Sequence, residues 1–166
     1  MSVSQLVSVS EYLSTSYRPD CDYVDGVVLE RNLGEYDHGR LQLAVAAYFH
    51  ARRKEWGLYA VPEQRVQVFP TRFRVPDVCV MIGKPAEQIF RTPPFICIEI
   101  LSKDDRISDM QERVEDYLRF GVRYVWILDP RKRKAYRCTS ESTYEVKELV
   151  TENPATLVPV EALFEE

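Results

Sequence analysis

Three stretches of this chain are apolar almost throughout: Asp77-Val78-Cys79-Val80-Met81-Ile82, Pro94 to Ser102, and Val122 to Leu128. β-branched and aromatic residues dominate them, and no polar alternation marks a side turned to water. Strands of this kind need cover on both faces. The chain is therefore expected to form an α/β sandwich, with a mixed central sheet flanked by helices. One residue sits against the pattern. Glu99 lies near the C-terminal end of the middle stretch. An unpaired carboxylate in apolar surroundings is costly, so it is satisfied by an Arg or backbone donors, bound to a metal, or used.

The flanking sequence supplies the covering elements. Val9 to Ser14 predicts a short helix, with Ser8 or Ser10 as cap. Asp25-Gly26 between Cys21–Val24 and Val27–Glu30 predicts a hairpin, because both residues accept positive φ. Asp37 to Trp56 predicts a long helix with Leu41, Ala44, Val45 and Tyr48 as its buried stripe and His38 on the same face. Leu58–Val61 and Arg65–Phe69 predict strands around Pro62-Glu63, and Arg72–Ile82 contains the strand that begins at Asp77. Gly83 to Pro93, with two prolines, is a loop.

After Glu99, Ser102 is expected to cap a second long helix with the stripe Ile107, Met110, Val114, Tyr117 and Leu118, closed by Gly121. Strand, helix and strand then make a right-handed βαβ crossover. Arg131–Arg137 and Tyr144–Leu149 predict an antiparallel pair, and Glu152–Glu166 an acidic tail with apolar anchors. There is no repeat, and one domain is expected over residues 1–166, with its core at about 20–150.

Net charge is −4, which by itself argues against a nucleic-acid partner. The acids are concentrated at the ends. Residues 31–138 hold twenty Lys and Arg against fourteen acids, a balance compatible with a polyanion and equally with a solvated surface. The four cysteines, Cys21, Cys79, Cys97 and Cys138, form no CxxC pair and two lie in predicted core strands. They read as reduced, packed thiols of a cytoplasmic protein. No apolar run reaches the ~18 residues of a membrane span, and no secretory signal is expected at the N-terminus.

Asp77 and Glu99 are acids of the same odd kind. If their strands pair antiparallel, both come to one end of the sheet. Two close carboxylates raise each other's pKa, and a hard divalent cation such as Mg²⁺ or Mn²⁺ reverses that. The pleat places Asp77, Cys79 and Met81 on one face, and Phe95, Cys97, Glu99 and Leu101 on one face. The soft atoms lie deeper than the acids, as a dry floor beneath a hard-ligand site.

Pro76-Asp77 followed by Glu99 after twenty-two residues resembles the PD-(D/E)xK nuclease motif. The chain more closely resembles the Uma2-like family of restriction-endonuclease-like proteins. The matching stretches are Tyr23–Gly26, His38-Gly39-Arg40, Arg74–Val78, Pro93-Pro94 leading to Glu99–Ser102, Asp109–Tyr117, Gly121-Val122 and Tyr124–Pro130, together covering about residues 8–150. The resemblance implies a restriction-endonuclease-like fold with an αβββαβ core, a metal-dependent phosphodiesterase site and often a homodimer.

One departure concerns the cation. The motif expects Lys two residues after the Glu, where this chain has Leu101; the family pattern takes it from the next helix, at Arg113. Arg holds its proton too firmly to act as a base. Lys103 is a substitute if the strand extends that far. The expected function is a metal-dependent endonuclease acting on DNA. In it Asp77 and Glu99 hold the ion, Arg113 with Lys103 stabilises the phosphate, and His38 is at the metal, water or phosphate. Two rivals remain open. One is a nuclease-like fold without chemistry that binds nucleic acid or scaffolds. In the other, Asp77 and Glu99 are structural acids paired with Arg74 or Arg106.

Overall fold

The computed structural model describes residues 5–31 and 34–165. Helix α1 (Val9–Ser14), capped by Ser8, precedes the hairpin of β1 (Asp22–Val24) and β2 (Val27–Leu29). Helix α2 (Tyr36–Ala51) follows, then the short α3 (Arg53–Trp56). The single helix expected over 37–56 is thus interrupted at Arg52. The Arg52 guanidinium folds back over the Tyr48 ring and donates to the Tyr48 carbonyl at 3.0 Å, the acceptor that a continuing α-helix would offer to the Arg52 N–H. The buried stripe of α2 is Leu41, Val45 and Phe49, while Ala44 and Tyr48 are only half-buried.

Strands β3 (Leu58–Pro62), β4 (Val66–Phe69), β5 (Arg72–Arg74), β6 (Val78–Ile82) and β7 (Ile96–Ile100) come next. The Arg72–Ile82 stretch is two strands in two sheets: β5 belongs to the order β2-β1-β5-β4, β6 to the central sheet. Val75-Pro76-Asp77 carries the chain between them.

Ser102 does not cap the next helix. Its N–H donates to Asp105 Oδ2 at 2.9 Å, closing a turn. A 3₁₀ turn at Ile107–Met110 begins where Asp109 accepts from the Arg106 N–H, and α4 (Gln111–Phe120) starts only then. Strands β8 (Tyr124–Asp129), β9 (Lys134–Cys138) and β10 (Thr143–Val146) complete the central sheet, whose order is β10-β9-β8-β7-β6-β3. β7 and β8 are parallel and joined through α4; the other pairs are antiparallel. The final stretch folds into a second hairpin, β11 (Glu148–Thr151) with β12 (Thr156–Pro159), and α5 (Val160–Leu163).

The central sheet is covered on both faces, as its apolar strands require. Val78, Val80, Ile96, Ile98, Ile100, Trp126 and Leu128 meet α2, the β11–β12 hairpin and α5. Cys79, Cys97, Val125 and Ile127 meet α4 and β4. Phe95 joins the first group, opposite in face to Cys97. Among the described residues, no helix is long and apolar enough to cross a membrane.

Candidate active site

The register of β6 on β7 pairs Val78 with Ile98 and Cys79 with Cys97, so Asp77 lies across from Glu99 at the sheet end. Both are buried, Asp77 at 2% exposure and Glu99 at 0%. Asp77 borders a cavity of about 400 Å³ lined also by Asp22, His38, Gln42, Arg74 and Arg113 among others, and Glu99 lies behind the Arg113 side chain that reaches it.

Helix α2 serves Asp77 with one turn of its surface. His38 Nε2 is 3.2 Å from Asp77 Oδ1, and Gln42, four residues on, donates to the Asp77 carbonyl at 2.8 Å. Arg31 Nη2 reaches the same Oδ1 at 2.5 Å, and the Ile100 N–H donates to Oδ2 at 2.7 Å. Burial works against ionisation of Asp77, but the His38 hydrogen bond and the Arg31 guanidinium outweigh it and hold its carboxyl below the usual range. The same hydrogen bond raises His38 above its ordinary value, against the desolvation of the ring.

Helix α4 serves Glu99 in the same way. Arg113 Nη1 donates to Oε2 at 3.0 Å and the Tyr117 hydroxyl, four residues later, donates to Oε1 at 2.5 Å. Burial still pushes Glu99 up to about 7, helped by the Asp77 charge and opposed by Arg113.

Of the three expected site residues other than Asp77 and Glu99, two join the site. Arg113 and His38 each touch one of the two acids. Lys103 is exposed in the turn after β7, which ends at Ile100, and it does not line the cavity. Neither Arg74 nor Arg106 pairs with Asp77 or Glu99. Arg74 binds Asp22 and Asp116, and Arg106 stands at the start of the 3₁₀ turn.

Four site residues went unread in the sequence. Asp22 is the most central. Its Oδ2 accepts from Arg113 Nε at 2.9 Å, Arg113 Nη2 at 2.7 Å and Arg74 Nη1 at 3.2 Å, while Oδ1 takes the Val75 N–H at 3.0 Å. An acid between Cys21 and Tyr23 in an apolar hairpin strand is the same signal that marked Glu99. Tyr117 is in the helical stripe, but its hydroxyl chemistry is not visible from periodicity. Gln42 is legible only as the residue four after His38. Nothing local distinguishes Arg31.

Among the described residues, no group of three or more His, Cys, Asp and Glu side chains is arranged to hold a metal ion. The donor chemistry is instead two buried acids at one end of the sheet, Asp77 lining the cavity. That set suits a hard cation that keeps waters and takes phosphate oxygens, as Mg²⁺ does.

No curated protein matches the chain. Among solved structures, the fold is similar to that of a crystal structure described as "a putative nuclease belonging to DUF820 from Anabaena variabilis ATCC 29413". The TM-score is 0.78 at 21% identity, covering 95% of this chain and 97% of the other. The mixed sheet with helices on both faces is thus the fold of that nuclease-like structure. Residues 9–166 match the model of the family described as "Uma2: Putative restriction endonuclease", and the chain belongs to that family.

Proposed function

We propose that the protein is a metal-dependent endonuclease hydrolysing phosphodiester bonds in DNA, with Asp77 and Glu99 holding Mg²⁺ or Mn²⁺. The observation that carries this reading is the pair of buried acids brought opposite one another at the end of β6 and β7 by the strand register, with Asp77 at the cavity wall. Burial disfavours the charged form of Glu99, and a cation would favour it. Such an ion, when bound, supplies Lewis-acid polarisation of a phosphoryl oxygen and lowers the pKa of a water.

The chain's own groups have separate tasks. Arg113, held by Asp22, keeps a fixed positive charge where the phosphate gains negative charge in the transition state. Arg113 cannot accept a proton. Tyr117 fixes the rotamer of Glu99, and His38 with Gln42 fixes Asp77. A homodimer and a cytoplasmic location belong to the same reading. The second is supported by four free, buried cysteines.

The test is cleavage of supercoiled and linear DNA by purified protein in Mg²⁺ or Mn²⁺. Asp77→Ala and Glu99→Ala should each reduce it by at least about a hundredfold, and cleavage that survives both would overturn the reading.

A second reading is a nuclease-like fold that binds without cutting. Every carboxylate oxygen of Asp77 and Glu99 already has a donor from the protein, two of the donors being guanidiniums. Binding of oligonucleotide without cleavage, unchanged in Arg113→Lys, would establish it; cleavage that rises in Arg113→Lys would mark an active site weakened by Arg.

A further inference from the structure

The nuclease reading leaves one feature of the cavity without a role. Nη2 of Arg74 is the only buried side-chain nitrogen or oxygen among the described residues with no hydrogen-bond partner. Arg74 is 3% exposed and lines the same cavity as Asp77. Its other nitrogens each have an acceptor: Nε donates to Asp116 Oδ2 at 2.8 Å and Nη1 to Asp22 Oδ2 at 3.2 Å. Two buried acids therefore hold the guanidinium rigid and leave Nη2, with its two N–H groups, without an acceptor. A buried donor without an acceptor costs stability, and natural proteins keep few of them.

Around Nη2 stand a second guanidinium and an exposed carboxylate. Arg72 stands two residues away on the same face of β5, and its Nη1 donates to Asp116 at 3.0 Å. Between the two guanidiniums lies Glu112. Its Oε1 is 3.6 Å from Arg74 Nη2, too far for a hydrogen bond, and 3.5 Å from Arg72 Nη1, at the limit of one. The Glu112 side chain is 64% exposed, in contrast to Asp116 one turn along at 5%. Asp116 is thus a built-in counterion, whereas Glu112 is a loosely held carboxylate at the mouth of an arginine fork.

We propose that Arg74 and Arg72 form a subsite for a non-scissile backbone phosphate of the nucleic-acid strand, and that Glu112 occupies it when no strand is bound. A phosphate oxygen replaces the Glu112 carboxylate and gives Arg74 Nη2 the acceptor it lacks. The exchange of one exposed anion for another leaves the buried pairs with Asp22 and Asp116 intact. Arg74 and Arg113 share Asp22, so the subsite is tied to the residue beside Glu99. The inference rests on the nuclease reading, because it takes the occupant to be nucleic acid.

The experiment is binding of a fluorescein-labelled DNA duplex to the full chain in EDTA, by anisotropy, across a salt series. Glu112→Gln should tighten binding by about three- to tenfold at low salt, since it removes the competing anion. Glu115→Gln changes net charge equally on the same helix but off the subsite, and should shift affinity by less than about twofold. Arg72→Gln should weaken binding and reduce the slope of log K against log salt by about one. Glu112→Gln indistinguishable from Glu115→Gln, or an unchanged slope in Arg72→Gln, would overturn the subsite while leaving the nuclease reading in place. Wild-type protein that neither binds duplex in EDTA nor cleaves it in Mn²⁺ would overturn both.

Discussion

Glu99 carries a carboxyl whose folded and unfolded proton affinities differ, and this sets a stability signature for the metal-free protein. In the fold it keeps its proton up to about 7, while its ordinary value is 4.5. Between those values the native state holds more protons than the unfolded chain, so stability falls as pH rises. His38 acts in the same direction: its pKa is raised above 6.5, so its contribution is complete below 6.5 and is lost as pH rises through the folded value. Asp77 acts oppositely, but its contribution is present above 3.8 and lost only as pH falls through its lowered folded value. Urea unfolding in EDTA should therefore show lower stability at pH 7.5 than at pH 5, by about 2 kcal/mol. Glu99→Gln should remove most of that difference. A variant that keeps the full slope would show that Glu99 is not its source.

The working elements are two helices that use the same spacing. Helix α2 turns His38 and Gln42 toward Asp77, and α4 turns Arg113 and Tyr117 toward Glu99. A second row of α4, Glu112 and Asp116, faces Arg72 and Arg74. The position of α4 thus decides several contacts together, and its C-terminal end is fixed by Gly121. That residue has φ +112°, and a Cβ there would lie 3.4 Å from the Pro93 ring. Gly121→Ala should cost more than about 1 kcal/mol in a urea melt, through the backbone conformation. The start of α4 was less legible. Ser102 followed by two acids has the composition of a capped N-terminus, yet Asp105 bonds back to the Ser102 N–H and delays the helix. The same side-chain chemistry serves caps and turns, and local sequence does not choose between them.

For the whole molecule, the apolar strands required two covered faces, and the second cover on one side comes from an unexpected place. The C-terminal hairpin and α5 put Leu149, Val158, Val160, Leu163 and Phe164 into the core with α2 and the central sheet. Phe164, 3% exposed in what reads as an acidic tail, should cost about 3 kcal/mol when replaced by Ala, as any buried aromatic does. Loss of less than about 1 kcal/mol in urea unfolding would mean that the tail is dispensable. The sequence by itself determined the central layer: unbroken apolar strands are unstable unless covered, and an acid within one is conspicuous because its burial is costly. It therefore yielded the mixed sheet and, on the condition that the two strands pair antiparallel, the approach of Asp77 to Glu99, while Arg113 was named by the family resemblance. Only the tertiary structure decided the partners. Asp22 reaches Arg113 across 91 residues and Arg31 reaches Asp77 across 46. No periodicity connects residues so far apart, because their meeting depends on how a separate four-stranded sheet docks on the central one. That docking turns Arg74, a basic residue in a short strand, into a rigid guanidinium whose Nη2 has no acceptor, in the cavity that Asp77 lines.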